Sequence, residues 1–353
     1  MGLLRLYLAL SVLAGHYQFT GAFCSYPGSF TAVCTFYIIS GFYISMVLTE
    51  KYAIEPHGFA LFYVNRLLRL YPTYLIVLIA TSVLFAHRLS IWNDILLPFS
   101  VVWQNIILDP RPTQMLGVIY TVGIEMIFYA IAPLFVLRSA AVLVIFFLVS
   151  IILHFTPAFL GLPSRAWQYE FFPGTLMFFL GGVLSYRLYR AIVAHRSILM
   201  ARHLYIFCLG AIQVYCLVFS SYIHNEYTNR PSVLFFYVMI GLLIPLLFYS
   251  SNSKLDRFIG DLSYPLYVVH FPIISIVRAQ SWEPEWGHVA VPALSLVAAA
   301  ILLLAIERPM DKFRHGLTLS KLVKFLLPLS FQPDPNSASL CARGREKGGW
   351  PRA

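Results

Sequence analysis

The first apolar run of the chain, "RLYLALSVLAGH", carries Arg5 at one end and His16 eleven positions later. At 100° per residue those positions amount to three turns and about 20°, so the pair shares a helix face and stands about 16.5 Å apart along the axis. Arg5 then lies at the edge of a hydrocarbon layer and His16 near its middle. Two further apolar segments hold ionisable groups: Glu125 in "LGVIYTVGIEMIFYAIAPLF" and His270 in "GDLSYPLYVVHFPI". Helical rise sets Glu125 about 12 Å below one boundary and His270 about 13 Å above Asp261, which brings all three groups to one depth. Such groups are costly to bury and default to function when a span contains them. An imidazole suits general-base work on a hydroxyl, or can carry a transferred group transiently, and a carboxylate can orient it as the acid of a triad does. The competing reading of His16 is a core histidine bonded to a backbone carbonyl. For His270 a second base, an oxyanion donor and a structural partner all remain open.

Further chemistry is suggested by "FYVNRLLRLYP", where Arg66 and Arg69 are three apart and so share a face if the segment is helical, with Pro72 beginning the next span. Together with Arg5 at the same membrane face they can form a clamp for a polyphosphate, because guanidinium groups grip phosphate in a bidentate way. The alternative is a pair of arginines that set topology and rest among lipid headgroups.

The elements that must position these groups follow from composition. Apolar residues make up 59% of the 353 and charged residues 11%, which excludes a soluble surface and places the chain in a membrane. About 20 mostly apolar residues cross the bilayer, and that template finds ten spans, near 3–22, 30–48, 70–87, 117–137, 139–155, 171–186, 203–223, 232–250, 259–277 and 288–306. The predicted fold is all-α, a polytopic membrane helix bundle of about ten transmembrane helices. With the N-terminus taken as cytoplasmic, Lys and Arg divide 20 inside to 5 outside, or 11 to 5 without the C-terminal segment, which fits an inner membrane with both termini cytoplasmic. The spans form a domain over 1–310, followed by a cytoplasmic tail over 311–353 whose "DPNSASLCARGREKGGWPRA" lacks any apolar period and reads as largely disordered. The stretch from Arg88 to Leu116, with Trp92 and Trp103, is expected to lie along the outer surface or dip back in.

Several chemistries lose support. The basic excess is spread along the chain and not gathered into a stripe, so no nucleic-acid partner is expected. The five cysteines form no CxxC pair and read as small hydrophobes, and no metal site is suggested. Phosphate-loop, zinc-protease and serine-hydrolase motifs are missing. A proton-coupled transporter or a lipid or glycan flippase stays as the alternative, with Glu125 and the histidines relaying protons.

The sequence resembles the acyltransferase family 3 membrane proteins, which O-acylate sugars of bacterial surface and secreted glycans. Arg5 and His16 fit the family's Arg-x10-His signature. Ser40, Gly41 and Phe42 look like its Ser-Gly-Phe element, and Arg66, Arg69 and Pro72 resemble its Arg-x-x-Arg loop. Glu125 lies in a Glu-x-x-Phe-Tyr span, "SYPLYVVH" is similar to the late histidine motif, with Tyr267 and His270, and "ERP" at 307–309 looks like the closing element. The matches keep family order from residue 5 to about 310. They depart from it at the missing Leu-Asp-Gly lead-in, at Asn65 where a second arginine is usual, and at Tyr120 in a common Trp position. The resemblance implies an O-acetyltransferase-like enzyme with no permanently bound cofactor, using acyl-CoA, acetyl-CoA by family analogy, as donor. It implies a glycan or lipid-linked sugar as acceptor and membrane lipid as surroundings. His16, Glu125 and His270 would be catalytic, and Arg5, Arg66, Arg69 and Tyr267 would hold substrate. No soluble esterase-like domain is expected after the last span.

Overall fold

A computed structural model describes residues 1–17, 26–54, 58–85, 119–162, 165–194, 201–219, 231–250, 253–280 and 284–316. Every described element is helical: α1 (Gly2–Tyr17), α2 (Ser29–Val47), α3 (Gly58–Leu84), α4 (Ile119–Val136), α5 (Ala140–Phe159), α6 (Phe172–Ala194), α7 (Ala201–Val218), α8 (Pro231–Ser250), α9 (Lys254–Asp261), α10 (Ser263–Ala279), α11 (Pro284–Leu302) and α12 (Arg308–His315). Each of the ten expected spans overlaps one or two of these helices. Among the described residues seven helices are long and apolar enough to cross a membrane, α9 and α10 counting as one, and Tyr120–Val136 and His203–Val218 are shorter apolar helices. The stretch 88–116 with Trp92 and Trp103, and the tail beyond Gly316, lie outside the described residues.

The outward faces are what lipid requires. The α5 span has a mean hydropathy of 2.5 with only 22% of it buried, and Ile145, Leu148, Val149 and Ile152 are exposed along it. A surface that apolar is stable against hydrocarbon and not against water. The chain is therefore a polytopic membrane bundle, with α2, 72% buried, at its centre against α1, α4, α6 and α8. Hydroxyls inside the bundle fold back on their own helices, as when Thr35 donates to the Thr31 carbonyl at 2.7 Å and Ser45 to that of Gly41 at 2.8 Å. Cys34, Cys208 and Cys216 are free and buried, the role expected of them as small hydrophobes.

The arginine segment differs from expectation. α3 begins at Gly58 and runs unbroken through Pro72, so Arg66 and Arg69 lie within the helix and not in a loop before it. Proline deletes one N–H, the one that would bond the Leu68 carbonyl, and disfavours the helix at the residue before it, yet α3 continues through it. Tyr264 of α10 donates to the Leu70 carbonyl at 2.7 Å beside the proline. α12 extends past the expected boundary at 310, and its Arg314 donates to the Asn65 carbonyl of α3 at 3.2 Å.

Two close approaches set the positions of the site helices. The backbone N–H groups of Gly2 and Leu3 donate to Asp256 at 2.8 and 2.9 Å, so a carboxylate of α9 satisfies the start of α1 and fixes the level of Arg5. At the centre α2 meets α6 backbone to backbone. A Cβ on Gly182 would fall 2.0 Å from the Ile38 carbonyl oxygen, and one on Gly41 2.0 Å from that of Phe179. Gly182→Ala must push these helices apart. A loss of about 3 kcal/mol is expected, at the upper end of overpacking costs, seen as a lower melting temperature in detergent; melting at the wild-type temperature would contradict this contact.

Candidate active site

Arg5, Arg66, Arg69, Glu125 and Tyr267 line one cavity of about 110 Å³ between α1, α2, α3, α4 and α10. It is layered along the helix axes. At one end stand the three arginines. Arg66 is buried, its guanidinium 5.6 Å over the Phe62 ring and 5.9 Å over that of Tyr129, and its Nε has no hydrogen-bond partner. A guanidinium held face-on by rings with an N–H left over is arranged to receive an anion.

Above the arginines Glu125 accepts from Ser40 of α2 at 2.7 Å and from Tyr129 one turn along its own helix. One turn further, about 4.5 to 6 Å by helical rise, Thr121 of α4 and Tyr267 of α10 share a hydrogen bond of 2.6 Å, with Tyr37 of α2 at the same level. His16 and His270 lie beyond Tyr267, outside the residues that line the cavity. His16 Nδ1 lies 3.0 Å from His270 Nε2, and the rings are nearly parallel at 13° with centroids 5.1 Å apart. The Tyr267 ring centroid lies 5.9 Å from that of His270, and Phe271 tilts against both histidines. His270 is wholly buried and His16 half-buried.

Of the three groups expected at one depth, the two histidines are in direct contact, whereas Glu125 lies about two helical turns nearer the arginines. Glu125 was expected to orient an imidazole; its bonds go instead to Ser40 and Tyr129, and the Thr121–Tyr267 pair intervenes between it and the histidines. Each imidazole is oriented by the other. One hydrogen can occupy the shared bond, so one ring donates and the other accepts, and a proton taken by one can pass to its neighbour.

A second, polar cavity of about 100 Å³ adjoins the arginine end and shares Arg5, Arg69 and Tyr264 with the first. Its other lining includes Arg314 and three carboxylates, Asp261, Glu307 and Asp311. Arg5 lies 3.9 Å from Asp261, Arg314 pairs with Asp311, and Glu307 accepts from Thr73 at 3.2 Å. Three guanidinium groups face three carboxylates here. Arg66 lines only the first cavity, where Glu125 is the carboxylate.

Residues beyond the sequence candidates complete the site. Thr121 and Tyr129 lie four residues either side of Glu125, and Tyr264 three before Tyr267, so helical spacing was the available signal for them. Glu307 ends a π-helical turn, Leu303–Glu307, and no spacing rule predicts where that turn aims it.

The family model of the acyltransferase domain matches residues 1–307. The chain belongs to acyltransferase family 3. All of the sequence candidates fall inside the matched span. YrhL of Bacillus subtilis (strain 168), whose name proposes it as a peptidoglycan O-acetyltransferase, is 25% identical over 352 aligned positions, which cover 87% of this chain and 54% of YrhL. The chain therefore spans about half the length of that curated relative. No solved structure matches it. Among the described residues no group of three or more His, Cys, Asp or Glu side chains is arranged to hold a metal ion.

Proposed function

We propose that this member of acyltransferase family 3 moves an acyl group, acetyl by analogy with its relative, from acyl-CoA to a hydroxyl of a cell-surface or secreted glycan or of a lipid-linked sugar. The observation that carries the reading is a cavity lined by three arginines, Glu125 and Tyr267, with a histidine pair packed on Tyr267 behind its lining. A donor that is rich in phosphate and carries a thioester on a long thin arm has the same polarity. Its phosphates meet Arg5, Arg66 and Arg69, and its arm passes Glu125 toward the level of Tyr267. The excess of Lys and Arg on the segments at the arginine end supports a cytoplasmic location for that end, where acyl-CoA is made.

His16 acts as general base on the acceptor hydroxyl, with His270 as the neighbour that orients it and shares its proton. The acceptor oxygen attacks the thioester carbonyl carbon and the carbonyl electron pair moves to oxygen. Collapse of that adduct re-forms the carbonyl, breaks the C–S bond and expels the CoA thiolate, which recovers the proton through the imidazole. Glu125, between the arginines and the hydroxyl layer, keeps Ser40 and Tyr129 in place along the path of the arm.

Purified protein in detergent, with no membrane gradient, is expected to release CoA from acetyl-CoA, either to water or to an added small nucleophile such as hydroxylamine. A thiol-reactive dye follows the release. Absence of turnover, coupled with proton-dependent solute uptake in vesicles, would replace this reading with a transporter.

A further inference from the structure

Tyr37 lines the first cavity, is 3% exposed, and its hydroxyl has no hydrogen-bond partner. Its ring is fixed: it stacks on Phe179 at 4.6 Å and 23°, and Phe179 stacks in turn on Phe128 at 4.3 Å and 20°. A rigid aromatic frame therefore holds an unsatisfied buried donor beside a cavity, and buried hydroxyls in proteins are almost always satisfied. Exceptions of this kind call for a ligand or a function.

The level of Tyr37 narrows the ligand. On α2, Tyr37 lies three residues before Ser40 and so on the same face, and on α4 Thr121 lies four before Glu125. Both are one turn beyond the Ser40–Glu125 bond in the direction away from the arginines. Tyr267 is bonded to Thr121 there, with the histidine pair one turn above it. The hydroxyl layer thus lies between the Ser40–Glu125 bond and the histidine pair, with Tyr267 packed on His270. Within it Thr121 and Tyr267 satisfy each other at 2.6 Å, whereas the Tyr37 hydroxyl has its hydrogen to give.

We propose that Tyr37 is an oxyanion donor: its Oη–H binds the carbonyl oxygen of the donor thioester and holds the negative charge that forms there when the acceptor oxygen adds to the carbonyl carbon. When the adduct collapses, the electron pair returns to the carbonyl, the C–S bond breaks, and the CoA thiolate leaves with the proton taken up by the imidazole. The tyrosine keeps its own proton throughout. This assignment rests on the acyl-CoA reading of the site. It gains from the cavity's position between fixed rings, because a donor that needs no reorganisation acts most strongly on developing charge.

Tyr37→Phe removes one oxygen and leaves the stacked ring. Acetyl-CoA turnover is measured with water and with hydroxylamine, with no glycan present. Loss of an oxyanion donor typically costs 10²–10³ in rate, so kcat is expected to fall about 100-fold for both nucleophiles at an unchanged KM for acetyl-CoA. The melting temperature is expected to hold or rise, because the lost hydroxyl was unsatisfied. An unchanged kcat would overturn the proposal. So would a fall in kcat that comes with a lower melting temperature, which marks a structural role, and so would a defect confined to a glycan acceptor, which marks an acceptor contact. Wild-type protein that does not turn over acetyl-CoA at all would instead remove the acyl-CoA reading, and with it this assignment.

Discussion

Alanine at position 16 is expected to lower acetyl transfer from acetyl-CoA about a thousandfold, within the range that a positioned general base contributes, while the protein still inserts and folds. Every element of the site bears on this result. α1 holds the imidazole on the face that also carries Arg5, and Asp256 holds the start of α1. The ring's Nδ1 is taken by His270 at 3.0 Å, which leaves Nε2 as the nitrogen for an acceptor hydroxyl. Alanine removes the base and the hydrogen bond together, so a second variant is needed to separate them. His16→Gln offers an amide to His270 but has no basic nitrogen, and it is expected to match alanine in rate while melting closer to wild type. Activity retained in the glutamine variant would show that the imidazole only supports the helix pair. The same substitution at His270 reads the other ring, and a loss as large as at His16 would mean that the proton travels through both.

What was legible in the sequence was spacing along a single helix axis. Arg5, His16 and His270 could be assigned a level because rise per residue is nearly constant, and the two histidines do meet, but Glu125, expected at their depth, lies about two helical turns nearer the arginines. Rotation about the axes was not legible. Which residues Glu125 faces depends on the level and the turn of α4 against α2 and α10, and packing sets both. The backbone contact at Gly41 and Gly182, together with the stack of Tyr37, Phe179 and Phe128, determines the turn. Pro72 misled for a related reason. Local preference ends a helix before proline, and the neighbouring Tyr264 bond to the Leu70 carbonyl belongs to tertiary structure. The polar cavity was unreadable for both reasons at once, since Glu307 reaches it from a π-helical turn and Asp311 and Arg314 from a helix read as tail.

The balanced charges of that cavity sharpen the second large effect. Arg66→Ala is expected to raise the KM for acetyl-CoA by about 10- to 100-fold, the equivalent of roughly 1.5 to 3 kcal/mol for hydrogen bonds to a charged group. Arg69→Ala is expected to raise it less. The difference follows from partners. Arg69 lines the carboxylate-bearing cavity with Asp261, Glu307 and Asp311, so part of its charge is already compensated without a ligand. Arg66 is buried against two rings with an unpartnered Nε, so anion binding supplies what the fold does not. Lysine should not rescue position 66, because an ammonium cannot stack on Phe62 and Tyr129 and present a second donor at the same time. KM reports affinity only when chemistry is slow, so direct binding of desulfo-CoA, which has no thioester, is the companion measurement. Arg66 and Arg69 variants that bind it with equal loss would return both residues to a common cationic patch, and variants that bind it as wild type would move the phosphates out of this cavity altogether.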